Sequence, residues 1–391
     1  MCTLRGFSAS PDEFRDGLLD SRAAMPHTDD QRRIIMGIEL EAYTIQLPRF
    51  TVSRRMAFPR KGVGERGERF GRDDTIGTEY NSRPFATLRE GLFLLKAGLR
   101  KYNRALYRSR SASRAGRRLL MVGGWRDRYA GAHVHLSVAG HRLTRQEARQ
   151  LAYHLHDHIP LFLAMGANSP VWADELTDVA SNRILRASRT YFHPTRRAHL
   201  TSRTMDEMLY SPGRALKPPT LEVRVLDSNI PEYVMAAAAC MKAVALAWLD
   251  RKPSTNHISH ADYMASREHA AHDGMAARLC WNGTWMPATA CLSRFLSAYR
   301  AEMRRLDLPE DLATAVEWLR SGVDGSSLIA SAARRAQREP ARAGAGAEDE
   351  DWQSRFARRY VAAIDEILSG HTLPDFARRL EVEPALNGRR R

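Results

Sequence analysis

Three short segments of this 391-residue chain each place two reactive side chains two residues apart: Glu39-Leu40-Glu41, His133-Val134-His135 and Glu222-Val223-Arg224. In a β-strand successive side chains point to opposite faces, so each segment puts both reactive groups on one face and its apolar middle residue on the other. The first pair lies in a run suited to burial, with Ile34-Ile35-Met36-Gly37-Ile38 before it and Ala42-Tyr43 after it. Carboxylates in that setting require cations or hydrogen bonds. Taken singly, an acidic pair reads as solvated surface and a histidine pair as two core histidines. A sheet presenting all three pairs would carry a cation cage. Carboxylates and imidazoles around hard cations, with an arginine beside them, suit phosphoryl transfer from ATP, where catalysis is mostly charge neutralisation and positioning.

The pairs fall in a chain of alternating strands and helices, which indicates an α/β or α+β core. Arg33 to Ile45 reads as one strand, Arg118 to Val138 as two strand-like runs around a Gly-Gly-Trp turn, and Leu221 to Leu226 as a further strand. Arg60 to Arg72 is rich in Gly, Arg and Glu without apolar periodicity; it suggests a mobile loop and lacks a GxxxxGK[ST] phosphate cradle. Capping boxes at Thr87 to Glu90 and Thr144 to Glu147 open two helices, the second running to about Met165 with Pro160 arguing for a kink or an end. Tyr233 to Leu249 is the most apolar stretch, but it is short and contains Lys242, so a core helix fits it better than a membrane span. From Ala301 the pattern is helical, interrupted by a flexible linker at Arg338 to Asp351. An amphipathic helix near Trp352 to Leu368 should then dock on the core or on a partner. The organisation expected is an irregular segment 1–30, a catalytic domain 31–300 and a helical C-terminal region 301–391.

The formal charge is +15, yet only six of the 60 basic residues are lysines, and the arginines run along the whole chain. A GC-rich codon bias explains this, as does attraction for ATP, an acidic substrate or a polyanion. No zinc-finger, KH or RRM signature accompanies the charge, so nucleic acid is not expected as the main partner, and the dense segment Arg108 to Arg118 reads as a solvated loop. Four cysteines without a CxxC pair suggest neither a zinc site nor a disulfide framework. The N-terminus has no apolar h-region, and the expected address is the cytoplasm. His154, His156 and His158 lack the intervening glutamate of a zincin, and His257, His260, His269 and His272 read as surface residues.

A second acidic cluster, Asp73-Asp74-Thr75-Ile76-Gly77-Thr78-Glu79, leads into Tyr80-Asn81-Ser82-Arg83-Pro84. It offers Glu79 as a third carboxylate ligand and Asp74 as a fourth or as a substrate contact. An HxH strand also opens the metal site of many hydrolases, but a hydrolase has no evident use for Glu39, Glu41 and Glu222-Val223-Arg224. Oxygen-rich ligation with a single imidazole suits Mg²⁺ or Mn²⁺ better than zinc.

The order of these elements, an ExE strand, a later acidic residue before a Pro-containing turn, a G-x-H strand and an ExR strand, resembles the glutamine-synthetase-fold carboxylate-amine ligases. That superfamily includes the glutamate-cysteine ligase type 2 group, the putative amidoligases and the ligase of the prokaryotic ubiquitin-like protein. Ala167 to Trp172, Ser181-Asn182-Arg183 and Glu222 to Asn229 add to the resemblance, which covers roughly Arg33 to Leu249. It implies an α+β fold with a curved, mainly antiparallel sheet, helices on its outer face and a helical C-terminal region. It also implies an ATP-dependent ligase that forms an amide or isopeptide bond through an acyl phosphate, with two or more Mg²⁺ or Mn²⁺ ions. By position, Glu41 and Glu79 would hold one metal, and Glu39, His133 and Glu222 the metal that bridges the nucleotide phosphates. Arg224 would contact the γ-phosphate, His135 would help seat the nucleotide, Arg183 would contact the acyl phosphate or carboxylate, and Asp74 would orient the amine. The turn after Glu79 and the Asp227-Ser228-Asn229 sequence depart from a single substrate pattern, leaving a free amino acid or an acidic peptide or protein as the expected partner. The rival readings are a metal-dependent amide hydrolase or deamidase and a basic, non-catalytic binding protein.

Overall fold

A computed structural model describes residues 33–46, 50–53, 62–63, 66–71, 76, 79–108, 117–186, 207–213, 217–339 and 351–384. Asp74, the segment 1–30 and most of the expected linker lie outside the described residues. Among the described residues the main sheet has seven strands: β1 (Ile34–Glu41), β2 (Gly62–Val63), β3 (Arg69–Gly71), β4 (Glu79–Asn81), β5 (Gly131–Val138), β6 (Met208–Ser211) and β7 (Thr220–Asp227). They lie in the order β6-β7-β5-β1-β4-β3-β2, and every neighbouring pair is antiparallel. The fold is therefore α+β, as expected.

Alternation decides the two faces of the sheet. In β1 the residues Ile34, Met36, Ile38 and Leu40 are at most 1% exposed, while Gly37, Glu39 and Glu41 point the other way. Helices cover the apolar face: α1 (Leu88–Arg108), α2 (Arg145–His156), α3 (Ile159–Gly166) and, after the short α4 (Asn182–Arg186), the central α5 (Pro231–Leu249). Helix α5 is long and apolar enough to cross a membrane, but here it is buried inside the protein from Pro231 to Ala247. Its run of alanines lets α1, α2 and α3 approach closely. Lys242, in the middle of it, donates from Nζ to the Ile34 carbonyl at 3.0 Å and to the Ala86 carbonyl. Helix α1 approaches β4 at Gly98, where a Cβ would lie 2.2 Å from the Tyr80 ring, and the Tyr80 hydroxyl donates to the Leu94 carbonyl at 2.8 Å.

Three expectations are corrected. The strand expected from Arg33 to Ile45 breaks at Ala42, and Tyr43–Gln46 crosses to a separate three-stranded sheet with Thr51–Ser53 and Arg117–Leu120. The helix opened by the Thr144 capping box ends at His156, and a second begins at Ile159 with Pro160 in its first turn. Between them His158 is drawn into an aromatic cage of Phe162, Trp281, Phe295 and Tyr299, with its Nε2 2.9 Å from the Tyr299 hydroxyl. The described part of the segment read as a mobile loop at 60–72 contains β2 and β3, because the backbone pairing of β3 to β4 and of β2 to β3 needs no side-chain period, and Phe70 is buried in the core.

The C-terminal helices Glu310–Arg320, Gly325–Arg338 and Trp352–Ile367 join the same hydrophobic cluster that begins at Ile34. The expected last amphipathic helix docks on the core: Phe356 stacks on Trp125 at 5.2 Å, and the backbone N–H of Met121 donates to the Tyr360 hydroxyl at 3.0 Å. Among the described residues, Cys240, Cys280 and Cys291 are buried free thiols.

Candidate functional site

The register brings the three pairs together. Strand β5 lies between β1 and β7, so His133 faces Glu39 across one ladder, and His135 faces Glu222 across the other. On the far side of β1, Glu41 pairs with Glu79 and Glu39 with Asn81. All these side chains share the face opposite the helices.

Distances within the cluster are short. His133 Nδ1 lies 3.2 Å from Glu222 and 3.5 Å from Glu39, and its Nε2 lies 3.9 Å from Glu41. His135 Nε2 is 3.4 Å from Glu39, and Nδ1 is 3.0 Å from the Thr220 hydroxyl, which fixes the ring. Arg224 Nε is 3.1 Å from Glu222. The Gly131 backbone N–H donates to Glu41 at 2.6 Å, and the Asn81 amide donates to Glu79.

The carboxyls are driven apart in acidity. Burial alone would raise Glu39, but the nearby imidazoles of His133 and His135 outweigh it and hold the group well below the ordinary carboxylate range. Glu222 is likewise lowered against its burial, chiefly by His133. Glu79, more distant from the imidazoles, is raised by burial and by the Glu39 charge. His133 is raised despite burial because the Glu222, Glu39 and Glu41 carboxylates surround it.

The donor set fits a hard cation. Both ring nitrogens of His133 and the Nε2 of His135 are buried without a hydrogen bond of good geometry. Glu39, His135 and Glu222 offer ligand atoms within 4.8 Å of one another. This triangle contains His135 where the sequence pattern placed His133, which lies deeper among Glu39, Glu41 and Glu222. A cleft of about 500 Å³ opens at the His135 end of the face, lined by Gly37, Glu39, Ser137, Thr220 and Glu222, with Arg69 and Lys217 also on its wall. Lys217 Nζ stands 3.8 Å from Glu39.

Arg183 is not on the accessible face. It is wholly buried, donates from Nη2 to the Arg224 carbonyl at 2.9 Å and lies 3.7 Å from Asp227. Burial lowers the Arg183 guanidinium and raises the Asp227 carboxyl, each opposed by the other's charge. Asp227, Thr220, Asn81 and Lys217 were missed in the sequence. Thr220 and Asn81 follow from extending the alternation by two residues from Glu222 and Glu79. Asp227 does not: it has the wrong parity for the site face, and a bulge between Val223 and Leu226 turns it there, opposite Gly131. Lys217 precedes Pro218 and Pro219 outside any strand pattern.

No protein-family model matches the sequence, and no curated protein matches it. Solved structures do. The chain superposes on the ligase PafA in its complex with the prokaryotic ubiquitin-like protein Pup with a TM-score of 0.57 at 16% identity, covering 90% of this chain and 81% of that one. It matches the glutamate-cysteine ligase of Francisella tularensis in complex with AMP with a TM-score of 0.54 at 11% identity, covering 89% and 92%. A bifunctional glutathione synthetase from Pasteurella multocida gives 0.52 at 11% identity, covering 86% of this chain and 52% of that one. At such identities what is shared is the architecture, and the chain has the glutamine-synthetase-like fold common to these carboxylate-amine ligases.

Proposed function

We propose that the polar face of the sheet is the active site of an ATP-dependent carboxylate-amine ligase. The observation that carries this reading is the convergence of Glu39, Glu41, Glu79, His133, His135, Glu222 and Arg224 from four adjacent strands on one face, beside a cleft of about 500 Å³. The fold it shares with ligases that act on Pup or on amino acids supports the same reading.

Two divalent ions, Mg²⁺ or Mn²⁺, would be held by Glu41 with Glu79 and by Glu39 with Glu222 and an imidazole of the pair. When bound they supply positive charge against the triphosphate. The residues of the chain do the rest. His135, steadied by Thr220, lines the cleft where the nucleotide would enter, and Arg224 is placed to neutralise the γ-phosphate. A substrate carboxylate oxygen attacks the γ-phosphorus, the bond to the β-phosphate oxygen breaks, and ADP leaves an acyl phosphate. The amine then attacks the acyl carbon, phosphate departs, and the proton released passes to a base on the carboxylate face or to water. The product is an amide or isopeptide, with glutamate or an acidic peptide as the favoured carboxylate given the basic chain.

The test is ADP release by the full chain with Mg²⁺ or Mn²⁺ against pooled amino acids and acidic peptides, with mass spectrometry of every responding mixture. ADP in step with a product whose mass is the sum of two components minus water supports the ligase. Hydrolysis of an amide without ADP would move the assignment to a hydrolase.

A further inference from the structure

The bulge in β7 leaves Arg224 where the ladder to β5 is interrupted. Its two backbone groups are taken up by other partners. The N–H donates to the Glu207 carbonyl at 2.8 Å, and the carbonyl accepts from Arg183 Nη2 at 2.9 Å. Arg183 thus holds by a side chain what a strand neighbour would hold in a regular ladder.

Arg183 is itself fixed. Asp227, fully buried, faces its guanidinium and accepts from the Asn168 backbone at 2.8 Å, the Ser169 hydroxyl at 2.7 Å and the Ser181 hydroxyl at 3.0 Å. The guanidinium fills the space above Gly131, where a Cβ would lie 2.5 Å from Nη2. Gly131 also donates its N–H to Glu41. One buried side chain therefore touches the backbone of Arg224 and packs on the peptide that orients Glu41, while having no exposure of its own to a substrate.

We propose that Arg183, held by Asp227, is a positioning residue that sets Arg224 and the Gly131 peptide in register with each other and does not touch the substrate. This rests on the ligase reading of the site. A mechanism in which Arg183 contacts an acyl phosphate would require it to reach solvent, which its burial opposes.

The test compares the full-length chain with Arg183→Lys, Gly131→Ala and Ser181→Ala. Lysine keeps the charge but has one nitrogen, which cannot serve Asp227 and the Arg224 carbonyl as two guanidinium nitrogens do. Alanine at 131 keeps every polar group but displaces the guanidinium and crowds His133 Nε2 at 3.0 Å, so Arg183→Lys is the variant that isolates the clamp. With ADP release as the assay, kcat falls about tenfold to a hundredfold in the first two variants, the size expected for a small misplacement of a reacting group. KM for ATP stays within about twofold, since ground-state binding is not the interaction removed. Ser181→Ala, which removes one donor to Asp227, gives a smaller fall in kcat and keeps the test open if the stronger variants fold poorly. Unchanged kcat in folded variants, or a rise in KM for ATP at constant kcat, overturns the proposal. The ¹⁵N resonances of the Arg224 Nε–H and the Gly131 N–H give a readout independent of activity. They shift in Arg183→Lys, which leaves both reporter groups chemically intact, if the clamp operates, and their constancy there overturns it. A wild-type chain that turns over no nucleotide sinks the ligase reading, while those resonances still decide the clamp.

Discussion

The two faces of the central sheet are built from the same strands and treat buried charge in opposite ways. On the helix-covered face the only charge at the centre of α5 is Lys242, whose ammonium is met by the Ile34 and Ala86 carbonyls. On the other face His133 is almost as deeply buried, yet both its ring nitrogens look at carboxylates 3.2–3.9 Å away without a well-formed hydrogen bond. Asp227, at the margin of that face, is again fully partnered by a backbone amide and two hydroxyls. Buried polar groups in native proteins are normally satisfied. A satisfied charge such as Lys242 or Asp227 therefore marks architecture, and a convergent, unsatisfied cluster marks the place where a ligand completes the structure.

That contrast can be broken most directly by deletion on the polar face. Glu39→Ala and Arg224→Ala should each lower ADP release about a thousandfold, as loss of a charge that stabilises transferring phosphoryl does. Their thermal midpoints should move by less than about 5 °C, because the groups removed are not core packing. Turnover at the native rate would remove these residues from the site.

On the other face the effect should fall on stability. Lys242→Ala leaves two carbonyls without their donor and a cavity in α5, at a cost of about 3 kcal/mol in urea denaturation, with turnover per folded molecule unchanged. Burial also pushes the Lys242 ammonium down to about 7 from 10.5. Between those pH values the unfolded chain holds a proton that the folded chain has lost, so the Lys242 contribution to stability rises with pH across the window and its cost is fully present below it. A stability profile whose difference from Lys242→Ala is flat from pH 7 to pH 10.5 would contradict this burial.

Cation binding sharpens the contrast further. Mg²⁺ or Mn²⁺ at a hundred times its Kd should stabilise the wild-type chain by about 2.7 kcal/mol for each ion bound, and Glu222→Ala should lose one such increment while keeping that of the ion held by Glu41 and Glu79. Equal shifts in both would place the ion elsewhere. The smallest effect belongs to local structure away from either face: Thr144→Ala removes the capping box of α2 and should cost about 1 kcal/mol with no change in turnover.

Much of this was legible in the residues themselves. The ExE, HxH and ExR pairs declared which side chains share a face, because strand alternation is local, and Thr144 and Glu147 declared a helix start for the same reason. The break at His158 was not legible as a position, although Pro160 pointed to it, since the cage that captures the imidazole comes from Trp281, Phe295 and Tyr299 far along the chain. Strands β2 and β3 were invisible because a sheet edge can be recruited by backbone pairing alone. The family resemblance assigns Arg183, by position, a contact to the acyl phosphate or carboxylate; its complete burial against Asp227 depends on a bulge that no periodicity signals.

The sequence by itself determined the chemistry on offer, which residues are reactive and which neighbours two apart must point the same way, because those follow from backbone geometry over a few residues. The tertiary structure alone decided that β5 lies between β1 and β7, that Glu41 meets Glu79, and that Asp227 turns toward Gly131 to hold Arg183 under Arg224. Those outcomes rest on pairings between segments tens to hundreds of residues apart, where the burial of one apolar face selects the register for the whole sheet.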